Sequence, residues 1–232
     1  MSLWVVMPAA GIGRRFGGEV PKQYQLLAGQ PVITHSVERL LAVDPAGLMV
    51  VLHPDDSDWH RQTLAAHPRV TAVAGGQERA DSVRAGLAGL AERAAEDDWV
   101  LVHDVARPCV TRQDIRKLLD TLADDPVGGI LAAPVSDTLK RVVDHNQIQG
   151  TQDRSHLWAA MTPQLFRYGL LCRGLERALA EGLNPTDEAA AIEALGLAPR
   201  VVLGRRDNIK ITRPEDLAIA GAIIAYQREE RA

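Results

Sequence analysis

The stretch Leu3-Trp-Val-Val-Met-Pro-Ala-Ala-Gly-Ile-Gly-Arg-Arg-Phe-Gly-Gly18 decides the fold. Leu3 to Met7 is a short apolar run that predicts a buried strand. It has no basic leader and runs straight into Pro8, so it does not read as a signal peptide. The small residues that follow let the backbone approach a ligand closely, and successive N–H groups there form an anion-binding nest. Arg14, Arg15 and Lys22 make that nest cationic. Gly11 and Gly13 form a G-x-G, but the third glycine of a dinucleotide fingerprint would have to replace Phe16. A Walker loop would need Ser or Thr after its lysine, and Lys22 is followed by Gln23. The loop therefore suits a nucleoside triphosphate, or its diphosphate leaving group, held by another geometry. A glycine-rich turn with surface arginines remains the alternative.

Outward from this start, β-branched runs alternate with amphipathic segments. Strands are predicted at Leu48 to Leu52, Val70 to Val73, Trp99 to His103, Ile130 to Val135, Arg200 to Leu203 and Asn208 to Ile211. Helices are predicted at Val32 to Leu41, Asp56 to Ala66, Ser82 to Ala95, from Thr111 to before Pro126, Pro163 to Glu181, Asp187 to Leu195 and Glu215 to Gln227. Thr111 with Asp114 fits a capping pattern, and Thr212-Arg-Pro-Glu215 reads as the capping box of the last helix. Such alternation implies an α/β fold, a mostly parallel sheet with helices on both faces. Ligands bind such sheets beyond the carboxyl ends of their strands. The loops after Met7, Leu52, Val73, His103 and Val135 are therefore the ones to read. Between Asp137 and Gln152 the rhythm breaks: Leu139 to Val143 and Gln147 to Thr151, joined by Asp144-His-Asn146, read as a projecting β-hairpin.

The bulk properties agree. The chain has 232 residues, 46% hydrophobic and 24% charged, which suits a globular protein with a sizeable core. The formal charge of −4 gives no support to nucleic acid as a partner. Cys109 and Cys172 are too few for a disulfide framework or a cysteine-built zinc site. No stretch reaches the apolar length of a membrane span, so the expected location is the cytoplasm. The 26 basic residues comprise 22 arginines and four lysines: Lys22, Lys117, Lys140 and Lys210. Each lysine marks a candidate place for a compact ammonium.

Two further loops carry candidate chemistry. Gly75-Gly-Gln-Glu-Arg-Ala-Asp-Ser-Val83 places a Gly-Gly pair at a strand end, where a flat ligand could approach, and Ser82 near a helix start. A plain turn with a capped helix explains it equally. His103-Asp-Val-Ala-Arg-Pro108 puts Asp104 at the end of a buried strand, which is costly unless a cation meets it. Mg²⁺ beside a triphosphate would serve, and Arg107 could grip a phosphate; a structural Asp104–Arg107 pair is the alternative. His103 reads as a packed core histidine rather than a base.

The motifs PAAGIGRRFGGEVPKQY, GGQERADSV, HDVARP, PVSDTLK, DR…TPQ, TDEA and DNIKIT, in this order, resemble those of the 2-C-methyl-D-erythritol 4-phosphate cytidylyltransferases of the non-mevalonate isoprenoid pathway. The likeness runs from about Leu3 to about Ala225. Gln77, where an acidic residue is common, and Val105, where alanine is usual, depart from the pattern. The resemblance implies a Rossmann-like, three-layer nucleotidyltransferase fold in a single domain over 1–232, with a dimerisation arm at about 137–156. It implies transfer of CMP from CTP to methylerythritol phosphate, with Mg²⁺ as cofactor and a homodimer as the assembly. It assigns Arg15, Lys22, Arg154 and Lys210 to catalysis, and Ala9, Ala10, Gly11, Gly13, Arg14, Gly76, Gln77, Ser82 and Ala106 to CTP. Arg107, Thr138, Thr162 and Thr186 would hold the alcohol substrate, and Asp104, then Asp207, the metal. A cytidylyltransferase for another polyol phosphate such as ribitol 5-phosphate, and a non-catalytic nucleotide-binding protein, are the alternatives.

Overall fold

The computed structural model describes residues 1–11, 16–17 and 20–229. Its strands are β1 (Leu3–Pro8), the two-residue β2 (Leu26–Leu27) and β3 (Gln30–Pro31), β4 (Gly47–Leu52), β5 (Val70–Ala74), β6 (Trp99–Val102), β7 (Gly128–Pro134), β8 (Leu139–Val143), β9 (Gln147–Gln152), β10 (Trp158–Arg167) and β11 (Arg200–Leu203). Its α-helices are α1 (Val32–Leu41), α2 (Arg79–Ala88), α3 (Arg112–Leu122), α4 (Tyr168–Ala180), α5 (Glu188–Glu193) and α6 (Asp216–Glu229). Seven strands form one sheet in the order β11-β7-β10-β6-β1-β4-β5. All pairings in it are parallel except those of β10, which runs antiparallel to both β6 and β7.

The alternation of side chains along β1 divides the core. Val5 and Met7 face one side, packed with Ile33, Val37 and Leu40 of α1 and Ile115 and Leu118 of α3. Trp4 and Val6 face the other, with Val83 and Leu87 of α2, Leu171 and Leu175 of α4 and Ile192 of α5. A third cluster seats α6: Ala220 and Ile224 pack with Leu27, Val32, Cys109 and Ile211. Gly86 lets α2 lie close on the sheet, since a Cβ there would sit 2.5 Å from Cγ1 of Val6. β8 and β9 pair only with each other, as the hairpin pattern predicts.

Five expected elements differ. Pro163 to Arg167 is strand, not helix: β10 is inserted between β6 and β7. Proline has no N–H for a ladder and argues against a central strand, but Pro163 sits where the pairing with β7 shifts register between Ala160 and Gln164. The segment Asp56 to Ala66 is two short 3₁₀ turns, Trp59–Arg61 and Thr63–Ala66. There the Asp56 carboxylate accepts from the N–H groups of Asp58 and Trp59, a local alternative to helical bonding. α2 starts at Arg79 and stops at Ala88, with the weak helix former Gly89 as its C-cap. Asn208 to Ile211 forms no strand: it crosses the strand ends as a loop, tied by Ile211 N–H to the Ala106 carbonyl and by Asn208 Nδ2 to the Thr162 carbonyl. The last helix is capped by Asp216 rather than Glu215, its carboxylate accepting from Thr212 and Arg213 N–H. The Thr111 cap is as expected: Thr111 Oγ1 accepts from Asp114 N–H at 3.1 Å.

Candidate active site

The loops after β1, β4, β5 and β6 meet at the carboxyl edge of the sheet and line a cleft of about 880 Å³. Pro8, Ala9, Ala10 and Gly11 form one wall, with Phe16, Lys22 and Gln23 further along the same segment. Gly75, Gly76, Gln77, Glu78, Arg79 and Ser82 line the cleft too, with Gly75 close beside Ala10, as do Asp104, Val105 and Ala106. Lys210 and Thr212 arrive from the loop before α6. Gly13, Arg14 and Arg15 lie outside the described residues.

The two glycines are required by space. A Cβ on Gly75 would come 2.7 Å from Ser82 Oγ and 2.8 Å from the Ala10 Cβ; one on Gly76 would come 2.3 Å from the Asp81 Cβ. Ser82 is buried within α2 and its hydroxyl donates to the Glu78 carbonyl, 3.2 Å away. Val105 packs into the core beneath α1, and its carbonyl accepts from Ser36 Oγ at 2.7 Å.

The charged centre of the cleft is Asp104. Its Oδ2 accepts from Lys210 Nζ at 2.7 Å and its Oδ1 from Arg79 Nε at 3.0 Å. Burial would raise its pKa, but the facing Arg79 and Lys210 charges outweigh that and hold it well below the usual carboxylate range. Arg79 turns its other edge to Glu188, with Nη1–Oε1 at 2.6 Å and Nη2–Oε2 at 3.0 Å. Glu188 is only 1% exposed, and burial raises its pKa against the pull of Arg79.

Below this centre, His103 is fully buried. Its Nε2 lies 3.0 Å from the Arg107 carbonyl, which can only accept, so Nε2 carries the proton. Nδ1, 3.2 Å from Thr162 Oγ1, then accepts from that hydroxyl. Thr162 Oγ1 in turn accepts from the Asp104 N–H at 3.0 Å. Burial pushes the His103 pKa down to about 4, so the ring is neutral near pH 7 and acts as scaffold.

The expected site residues thus divide. Ala9, Ala10, Gly11, Lys22, Gly76, Gln77, Ser82, Asp104, Ala106 and Lys210 line the cleft together. Arg107, Thr138, Arg154, Thr162, Thr186 and Asp207 do not line it. Arg107 is held by the carbonyls of Asn208 and Ala160. Its proposed structural pairing with Asp104 is made instead by Arg79 and Lys210. Thr138 and Arg154 are exposed at the base of the β8–β9 hairpin, where Arg154 Nη1 donates to the Ser136 carbonyl. Thr186 is exposed just before α5, whose N-cap is Asp187. Asp207 gives both oxygens to Arg205, at 2.9 and 2.7 Å. Of the four lysines, Lys22 and Lys210 reach the cleft, while Lys117 donates to the Leu203 carbonyl and Lys140 to Thr151.

Sequence reasoning assigned no role to Arg79 or Glu188. Both stand inside quoted motifs, but nothing local shows that Glu188 is buried and therefore needs a cation.

Comparison with known proteins adds the family context. The family model for 2-C-methyl-D-erythritol 4-phosphate cytidylyltransferase matches residues 3–226. A protein of that name from Pseudomonas putida is 52% identical over 219 residues, covering 93% of each chain. Another from Chromohalobacter salexigens is 51% identical over 234 residues, covering 96% of this chain and 90% of its own. The crystal structure of the Francisella tularensis 2-C-methyl-D-erythritol 4-phosphate cytidylyltransferase superposes with a TM-score of 0.83 at 33% identity, over 96% of this chain and all of that one.

Proposed function

The chain belongs to the 2-C-methyl-D-erythritol 4-phosphate cytidylyltransferase family, and from that premise we propose how its residues divide the work. The enzyme is a nucleotidyltransferase that transfers the cytidylyl group of CTP to 2-C-methyl-D-erythritol 4-phosphate in isoprenoid precursor biosynthesis. A phosphate oxygen of the alcohol substrate bonds to the α-phosphorus of CTP. The bond from that phosphorus to the β-bridging oxygen breaks, and diphosphate leaves. The nucleophile is already an anion, so no general base is needed, in keeping with a His103 locked in the core. The obstacle is the meeting of two polyanions, and positioned cations supply most of the catalysis.

The observation that carries this division is the convergence of Lys22, Lys210 and the glycine pair on one cleft. Lys22 and Arg15 stabilise the α-phosphate and the leaving group, while Arg14 and the backbone from Ala9 to Gly13 cradle the triphosphate. Gly76, Gln77 and Ser82 read cytosine, and Ala106 lies against the ribose. Lys210 meets the reacting phosphates.

A divalent ion fits this donor set in one way. Among the described residues no three His, Cys, Asp or Glu side chains form a metal cluster, so there is no cage built from protein alone. Asp104, a carboxylate beside the triphosphate site, suits Mg²⁺ held chiefly by phosphate oxygens. When bound, the ion would neutralise charge on the triphosphate. Asp207, which does not line the cleft, is the weaker candidate.

The enzyme works as a homodimer in which the β8–β9 hairpin is the arm. Val142, Val143, Ile148 and Trp158 are all exposed on this arm or at its root, and an isolated hairpin is marginal in water unless something packs on it. A neighbouring subunit would bring Thr138 and Arg154 to the substrate phosphate, beside Arg107 and Thr186; Thr162, whose hydroxyl proton goes to His103 Nδ1, supports Asp104 instead. No helix among the described residues is long and apolar enough to cross a membrane, and a cytoplasmic location is the reading that goes with it. Mixing the protein with CTP, Mg²⁺ and a panel of polyol phosphates tests the reading. Rapid diphosphate release with methylerythritol phosphate is expected. Preference for ribitol 5-phosphate would change the substrate, and no release with any alcohol would leave only a nucleotide-binding protein.

A further inference from the structure

Four charged side chains of alternating sign run from the core to the cleft: Glu188 at the start of α5, Arg79 at the start of α2, Asp104 after β6, and Lys210 before α6. We propose that Arg79 and Glu188 are positioning residues for cytidylyl transfer, fixing the Asp104 carboxylate and through it the Lys210 ammonium. The inference rests on the reading that Lys210 meets the reacting phosphates.

Glu188 anchors the chain. It is 1% exposed, and both its oxygens receive hydrogen bonds from Arg79. A buried ion pair of this kind contributes little stability over well-packed apolar residues, so its value is geometric. The guanidinium is planar. With Nη1 and Nη2 fixed on Glu188, its Nε–H has one direction left, and that direction meets Asp104 Oδ1 at 3.0 Å. A lysine could supply the charge but not this rigid fork. The other side of Asp104 is fixed as well, because its own N–H is held by Thr162 Oγ1. Arg79 therefore orients the carboxylate, on a main chain that Thr162 holds in place, and its Oδ2 takes Lys210 at 2.7 Å. One of the three ammonium protons is committed there, and the remaining two are left for the cleft that Lys210 lines.

The test is a double-mutant cycle between Arg79→Lys and Lys210→Ala in the full-length enzyme. Diphosphate release gives kcat and KM for both substrates; calorimetric titration with CTP and thermal melts are run in parallel. A misplacement near 1 Å costs about a hundredfold in rate. Arg79→Lys should therefore lower kcat about tenfold to a hundredfold, with KM and CTP affinity within about threefold of the parent. In the Lys210→Ala background the same change should cost less than about threefold, because the ammonium it positions is gone. Glu188→Gln, which keeps shape and removes charge, should repeat the pattern and covers the case in which Arg79→Lys does not fold. Full additivity in the cycle, or an unchanged kcat in both Arg79→Lys and Glu188→Gln, would overturn the inference. If Lys210→Ala alone keeps normal kcat, the role given to Lys210 fails first, and the inference falls with it.

Discussion

His103 and Thr162 are 59 residues apart in sequence, yet the imidazole Nδ1 and the threonine hydroxyl lie 3.2 Å apart in the core. The Arg107 carbonyl on the far side of the ring keeps the proton on Nε2, so Nδ1 accepts from the hydroxyl, and burial pushes the ring's pKa down to about 4. An unfolded histidine binds a proton near pH 6.5. Between that value and pH 4 the unfolded chain therefore holds a proton that the folded chain does not, so stability falls as the pH falls. By pH 5 the loss from this one group is about 2 kcal/mol. Urea denaturation at pH 7, 6 and 5 should show it, and His103→Asn should flatten that part of the slope. Equal slopes for both proteins would mean that the ring is protonated in the folded state.

Lys22 should act mainly on the transition state. Lys22→Ala is expected to lower kcat by at least about a hundredfold, comparable to the loss of one oxyanion donor, with a smaller change in CTP affinity. Near-normal kcat combined with poor CTP binding would assign Lys22 to the ground state instead.

Activity should require a hard divalent ion. Asp104→Asn should raise the metal concentration needed for half-maximal rate while circular dichroism shows the fold retained. Full turnover of the parent enzyme in excess EDTA would remove the metal from the mechanism.

Gly86→Ala offers a test in which two effects oppose each other. Alanine favours an exposed helix interior by about 1 kcal/mol over glycine. Here, however, the new Cβ meets Val6 Cγ1 at 2.5 Å and Val51 Cγ2 at 3.0 Å, both fully buried in the sheet. Overpacking of that kind costs about 1–3 kcal/mol, so the urea midpoint should fall. An unchanged or higher midpoint would show that α2 can lift from the sheet without penalty.

The shared-site reading predicts complementation. Subunits carrying Lys22→Ala and Arg154→Ala, each nearly inactive alone, should recover one working site of two when co-expressed. One site of the heterodimer then combines Lys22 from one chain with Arg154 from the other. Purified heterodimers without recovered activity would assign Arg154 to its own subunit's site.

Much of this was legible because it is local. The strand of Leu3 to Met7, the hairpin around Asp144-His-Asn146 and the Gly75-Gly76 turn each carry their signal within a few residues. So did the lysines, since two of the four reach the cleft. What was hidden depends on contacts distant in sequence. Pro163 hides a central strand, because only the register shift in its neighbour makes room for a residue without an N–H. Arg79 and Glu188 are separated by 109 residues, and their pairing follows from α2 and α5 packing into the same core cluster.

The loop that carries Lys210 hangs between β11 and α6, and α6 is seated on Leu27 and Val32 near the beginning of the chain. Gln227 completes that seating by donating to the Cys109 carbonyl. α6 thus ties the Lys210 loop back to residues near the start of the described chain. The ammonium at 210 is thereby steadied from two sides, by Asp104 within the cleft and, through Ile211 packed on Ala220 and Ile224, by α6 outside it. A chain cut before α6 could fold most of its sheet and still leave the Lys210 loop unsupported on one side, so loss of that helix should reach the cleft although none of its residues lines it.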